Sequence, residues 1–234
     1  MFTDNFILRT DSYKLSHWLQ YPEGTEYVFS YIEARGGFKK LVFFGLQMYI
    51  KELEKYRVTQ QQIDEAQEVA LAHGEPFNYE GWSYILKEYE GRLPLEIKAI
   101  PEGTVAPVRN ALVTIKNTDP KCFWLPSHIE TDILRAVWYP STVATNSYNI
   151  KQIILKYLAK TGDESGINFK LHDFGARGVS SCESSGIGGC GHLVNFLGTD
   201  TMMALLYARK YYGEQMAGFS IPAAEHSIST SFGK

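Results

Sequence analysis

The rhythm of apolar and polar residues changes along the chain, and each change predicts a different element. Over residues 25–32, Tyr27, Phe29 and Tyr31 alternate with Val28, Ser30 and Ile32, a period of two that predicts a strand. Over 59–72 the period is helical. Thr59 and Gln62 have the spacing of a capping box, and Gly74 stands near the end. A second helix is predicted over 82–89, closed by Gly91. Residues 95–100 alternate strictly, as a half-exposed strand does. Pro101-Glu102-Gly103 predicts a turn and residues 111–115 a further strand. Ser127 and Glu130 then predict another capping box ahead of Ile133, Leu134 and Val137. Pro140 predicts an interruption, and 142–158 resumes in helical period.

From Ile167 the pattern alternates between strand and helix. Strands are predicted over 167–171 and 219–223, and helices from Ser180 and Glu183 to about residue 196 and over 201–212. Such alternation implies parallel strands joined by crossover helices. The fold class is therefore α/β: a mixed α+β N-terminal domain over 1–148, then a parallel α/β part over 149–234. The helix after Ser181 holds Gly186, Gly188, Gly189 and Gly191. Each glycine costs a helix on the order of 1 kcal/mol, so this many imply close backbone packing or a phosphate-facing turn.

Composition narrows the class. Of 234 residues, 44% are hydrophobic and 21% charged, the profile of a soluble globular protein of one or two domains. A formal net charge of -3 gives no electrostatic reason to expect nucleic acid or an anionic membrane surface as partner. The longest apolar run, Leu41-Val42-Phe43-Phe44, is too short to span a bilayer. Met1-Phe2-Thr3-Asp4-Asn5-Phe6 lacks the basic start and apolar stretch of a signal peptide. Cys122, Cys182 and Cys190 are odd in number and show no two-residue spacing, which fits a reducing, cytoplasmic compartment. The chain stops at Ser231-Phe232-Gly233-Lys234, soon after the last predicted strand, where a parallel α/β architecture is not expected to end.

Ligands of parallel α/β folds sit at the carboxyl ends of the strands. Phe174, Arg177, Asp200, Glu225 and His226 all fall at such predicted ends. Phe174 is either a core aromatic or a ring platform opened by Gly175 and Gly178. The fixed fork of Arg177 suits a phosphate or a carbonyl oxygen. Asp200 is either a cap for the helix at Thr201 or an acceptor for a ligand. His226, beside Glu225, is either a core histidine or a nucleophile or acid–base group.

Several segments together resemble one family. Thr10-Asp11-Ser12-Tyr13-Lys14, Tyr31-Ile32-Glu33-Ala34-Arg35, Phe44-Gly45-Leu46-Gln47, Gly81-Trp82-Ser83-Tyr84-Ile85-Leu86 and Asn117-Thr118-Asp119-Pro120 are similar to nicotinamide phosphoribosyltransferases. So are Trp138-Tyr139-Pro140, Val143-Ala144-Thr145-Asn146-Ser147 and His192-Leu193-Val194-Asn195-Phe196. The three strand-end segments, Lys170 to Gly178, Leu197-Gly198-Thr199-Asp200 and Ile221 to Ser227, are also similar. The resemblance runs in order along essentially the whole chain.

That resemblance implies an enzyme joining nicotinamide to phosphoribosyl pyrophosphate, giving nicotinamide mononucleotide and pyrophosphate in NAD salvage. It implies Mg2+, ATP, and a head-to-tail homodimer with shared sites. The fold implied for the C-terminal part is the first portion of an irregular α/β barrel. Phe174 would stack on one face of the pyridine ring and Tyr13 of the partner would cover the other. Asp200 would accept the amide N–H, and Arg177 would contact the amide oxygen and the phosphate. Asp11 and Arg35 would face the ribose and phosphate region from the partner. His226 would be phosphorylated by ATP. Ala176 departs from the pattern, since relatives often carry an aromatic there, and Cys182-Glu183-Ser184-Ser185 differs in detail. Family chains are roughly twice this length, so activity is expected to need the missing half. The alternatives are a non-catalytic truncated homologue that binds a full-length partner, and a nicotinate phosphoribosyltransferase. A carboxylate at Asp200 favours the amide over the acid, whose like charge it would repel.

Overall fold

The computed structural model describes residues 5–233, and the N-terminal reading at Met1 to Asp4 and the final Lys234 lie outside them. The chain divides into two compact units between Trp138 and Tyr139, whereas the sequence pattern placed the change after residue 148.

In the first unit, β1 (Phe29–Glu33), β3 (Leu95–Ala99) and β5 (Ala111–Asn117) form an antiparallel sheet in the order β1-β5-β3. A second antiparallel pair joins β2 (Lys40–Val42) to β4 (Val105–Pro107). β5 is central, and its Leu112, Val113 and Ile115 are buried. In β1 the alternation has a definite sense: Ile32 faces the core, while Phe29 and Tyr31 face outward. Buried Asn117 ends β5 with its polar groups satisfied. Its amide donates to the carbonyls of Glu26 and Asp119, and its Oδ1 accepts from Val28 N.

Helices α1 (Leu46–Leu53), α2 (Gln60–His73), α3 (Tyr79–Tyr89) and α4 (Leu125–His128) also belong to this unit. The Thr59 capping box forms as predicted, with Thr59 Oγ1 accepting from Gln62 N and Gln62 Oε1 from Thr59 N. Gly74 closes α2 at φ 94°, a left-handed conformation suited to glycine. Trp82 packs edge-on against Trp124 and His128, each at 4.9 Å between ring centroids.

The capping box predicted at Ser127 does not form. Ser127 Oγ instead pairs with His17 Nδ1 at 2.9 Å, and Glu130 meets Lys14 Nζ at 3.0 Å. Nor does Pro140 interrupt the chain: α5 runs unbroken over Glu130–Thr161. Gly191 rests against that helix, where an added Cβ would lie 2.8 Å from the Pro140 carbonyl and 3.3 Å from Val143 Cβ. Tertiary packing thus overrides the local break.

The second unit carries the alternating pattern. β6 (His172–Asp173), α6 (Cys182–Leu193), β7 (Gly198–Thr199) and α7 (Met202–Tyr207) follow in order. β6 and β7 pair in parallel, and Gly198 forms a parallel bridge with Phe219. The predicted strand over 167–171 is replaced by a 3-10 helix, Glu164–Phe169, whose cap Asp163 accepts from Ser165 N. The strand predicted over 219–223 is reduced to the bridge at Phe219, and α7 passes into a π-helical turn, Ala208–Tyr212. α8 (His226–Ser231) follows. The glycines of α6 serve close packing. An added Cβ at Gly186 would fall 2.6 Å from the Tyr207 ring, and at Gly188 2.3 Å from the Tyr139 hydroxyl. Among the described residues no helix is long and apolar enough to cross a membrane.

Candidate active site

The parallel ladder of the second unit brings two strand ends side by side. His172 pairs in register with Gly198 and Asp173 with Thr199, so Phe174 and Asp200 leave adjacent strands at the same level. Asp200 N donates to the Asp173 carbonyl at 2.9 Å, which ties the two exits together.

Asp173 orders the first loop. Its Oδ1 accepts from Gly175 N at 2.8 Å and its Oδ2 from Thr199 Oγ1 at 3.1 Å. Thr199 Oγ1 in turn accepts from Thr201 N at 3.0 Å. The loop continues as a 3-10 turn, Gly175–Gly178, which places Arg177 in solvent. Phe174, just before it, is 46% exposed, so it is a surface ring and not part of the core.

Asp200 does not cap the helix that follows. The N-cap of α7 is Thr201, with no side-chain cap bond. The Asp200 carboxylate instead accepts from Ser220 Oγ at 2.8 Å and pairs with His172 Nε2 at 2.7 Å, both at Oδ1. The His172 bond foremost, with Ser220 second, holds this carboxyl below the usual carboxylate range. Asp200 is therefore an anion at neutral pH. Its side chain is 34% exposed, against 12% for His172.

Beneath these exits lies a cavity of about 210 Å³ lined by Tyr139, Asp173, Val179, Ser185, Gly188 and Thr201, among others. His192 in α6 is buried and neutral in character. Burial foremost lowers its pKa, while its nitrogens meet Ser147 Oγ at 3.2 Å and the Gly198 carbonyl at 3.0 Å.

His226 opens α8 and is exposed, so it is not a core histidine. The carboxylate of Glu225 bonds the Ser227 hydroxyl. The remaining sequence candidates lie in the first unit. Asp11 precedes the 3-10 helix Ser12–Leu19, and its Oδ2 accepts from Thr131 Oγ1. Tyr13, in that helix, is 53% exposed with its ring edge-on to His17 at 5.0 Å. Arg35 is exposed in the loop after β1.

Two residues of the site escaped the sequence reading. His172 belongs to a predicted strand-end segment, but a contact across 28 residues leaves no local signal. Ser220 is a common residue, and only the third parallel position makes it a partner of Asp200.

Comparison with known proteins gives this arrangement its context. A family model described as nicotinamide phosphoribosyltransferase, N-terminal domain, matches residues 5–97, and one for the nicotinate phosphoribosyltransferase (NAPRTase) family matches residues 169–234. The nicotinamide phosphoribosyltransferase of Xanthomonas campestris pv. campestris is 56% identical over 236 residues, covering 100% of this chain and 50% of that protein. That of Acinetobacter baylyi is 35% identical, covering 97% of this chain and 49% of that protein. The crystal structure of human nicotinic acid phosphoribosyltransferase shares the fold, with a TM-score of 0.62 at 19% identity, over 95% of this chain and 40% of that one. The chain spans about half the length of the curated relatives it matches. Over that span, the chain belongs to the nicotinamide phosphoribosyltransferase family.

Proposed function

We propose that this chain supplies the ring-recognising part of a nicotinamide phosphoribosyltransferase, which joins nicotinamide to phosphoribosyl pyrophosphate in NAD salvage. The observation that carries this reading is the Asp200 carboxylate, ionised and fixed by His172 and Ser220 beside the exposed ring of Phe174. An anion there accepts the N–H of a carboxamide and repels the carboxylate of nicotinate, which favours the amide enzyme over the nicotinate one.

The reaction forms a bond from the pyridine nitrogen to C1′ of the sugar and breaks the C1′–oxygen bond, so pyrophosphate leaves with the electron pair. No proton needs to be removed from the ring. The protein's work is therefore positioning and charge stabilisation. Phe174 stacks on the ring, Arg177 contacts the amide oxygen and the phosphate, and Asp200 accepts the amide N–H. In a homodimer with shared sites, Tyr13 covers the other ring face, and Asp11 and Arg35 face the ribose and phosphate region. The exposure of Tyr13 and Arg35 is compatible with such a role.

Among the described residues no three His, Cys, Asp or Glu side chains gather to hold a metal ion. Magnesium fits this reading as a companion of the substrate's phosphate oxygens and not as an ion caged by the chain. Exposed His226 fits the acceptor of a phosphoryl group from ATP. One imidazole nitrogen would form the bond to the γ-phosphorus as the bond to the ADP oxygen breaks. His226→Ala would abolish ATP turnover and leave the transferase step. The reading places the protein in the cytoplasm.

Since the relatives are about twice as long, the 234-residue chain alone is expected to make no mononucleotide, and a protein of the relatives' full length built on this sequence is expected to make it. In that longer protein, Phe174→Ala should weaken nicotinamide binding by about 1–3 kcal/mol, the range for base–aromatic stacking. Tyr13→Ala should act alike, and mixing the two variants should restore one intact site per heterodimer. No recovery on mixing would refute the shared site. Mononucleotide synthesis by neither length would favour the second reading, a non-catalytic homologue that binds a full-length partner.

A further inference from the structure

We propose that His172 is a positioning residue for ring recognition: its imidazole edge fixes the acceptor Asp200 while its imidazole face backs the stacking ring Phe174. The proposal rests on the nicotinamide reading and goes beyond it, because it assigns one side chain the alignment of both recognition elements.

Two independent contacts carry it. His172 Nε2 lies 2.7 Å from Asp200 Oδ1. An ionised carboxylate only accepts, so the nitrogen facing it bears the proton. The His172 and Phe174 rings lie 4.7 Å apart between centroids, tilted by 40°, within the range of a packed aromatic pair. Both contacts come from a residue on β6 that is itself mostly enclosed.

The neighbouring strand makes room for this ring. Gly198 stands opposite His172 in the parallel register, and a Cβ there would come 2.7 Å from His172 Nδ1 and 3.3 Å from the Leu171 carbonyl. Only a glycine lets the imidazole lie across β7 and reach the carboxylate two residues further along. Ser220 and His172 both bond Oδ1. The carboxylate is thereby held against rotation from two sides, with Oδ2 left for an incoming amide N–H.

The two roles separate by substitution. His172→Phe keeps a ring beside Phe174 but removes the donor. His172→Gln keeps an N–H donor but removes the ring. Dissociation constants for nicotinamide and nicotinate are measured by calorimetry on a protein of the relatives' length built on this sequence. His172→Phe is expected to lose about tenfold in preference for the amide, the loss of one hydrogen bond to a charged group. It should retain overall ring affinity within about threefold. His172→Gln is expected to keep the preference and weaken both ligands alike. If the parent protein shows no preference for nicotinamide, the functional reading fails. If it does and both variants match it, the positioning role is overturned. The 234-residue chain gives a readout independent of ligand. The carboxyl of Asp200, followed by carbon-detected NMR titration, should rise in His172→Phe and move less in His172→Gln, and an unchanged titration in both overturns the proposal.

Discussion

Ser220 donates its hydroxyl to Asp200 Oδ1 at 2.8 Å, so a residue beside the third parallel position fixes the carboxylate that leaves the second strand. The two residues are 20 positions apart, beyond the reach of a turn or a helix contact; only the folded ladder joins them. This bond, after that from His172, keeps the carboxyl ionised below its ordinary range.

The depressed carboxyl sets the sign of one acid effect. Its stabilisation is fully present above the unfolded carboxylate value, about 4, and is lost as pH falls through the lower folded value. Ser220→Ala should therefore lower the thermal midpoint more at pH 6 than at pH 2.5. A midpoint difference that is the same at both pH values would exclude the bond as the cause.

His128 predicts a second acid effect, in the first unit. Burial foremost pushes its imidazole down to about 4, against the opposing bond from Nε2 to the Ile7 carbonyl at 2.9 Å. The unfolded chain takes up this proton first, near pH 6.5, so stability should fall as pH drops from about 6.5 to about 4. The size is on the order of 3 kcal/mol. Denaturant titrations at pH 7 and pH 4.5 measure it, and His128→Gln should flatten the slope over this window.

The packing of α6 on Tyr139 is open to a direct test. Gly188→Ala brings a methyl within 2.3 Å of the Tyr139 hydroxyl. Overpacking of this kind costs about 1–3 kcal/mol, offset by up to about 1 kcal/mol of helix propensity. The variant should unfold earlier in urea, and Tyr139→Phe in the same chain should recover part of the loss. Equal loss with and without the hydroxyl would place the strain elsewhere.

The sequence was most legible where partners are close along the chain. Thr59 and Gln62 are three residues apart, and their reciprocal bonds need only the first turn of α2. The strand-end clustering of Phe174 and Asp200 was legible because alternation of strand and helix implies a parallel ladder. The strand over 167–171 was misplaced because β6 is only two residues long and is defined by pairing with a segment some 26 residues on. Its apolar neighbours Ile167 and Phe169 belong to the 3-10 helix capped by Asp163. Ser127 and Glu130 had the right spacing for a cap, but His17 and Lys14, distant in sequence, took their polar groups. The same non-locality hid His172 and Ser220 as supports of Asp200.

The central claim, that Asp200 selects an amide, is tested most directly by the ratio of nicotinamide to nicotinate affinity in Asp200→Asn. The substitution keeps the shape, removes the charge and adds a donor. Measured by calorimetry on a protein of the relatives' length built on this sequence, the preference for nicotinamide should narrow by about 1–3 kcal/mol. A preference unchanged from that of the parent would contradict the account.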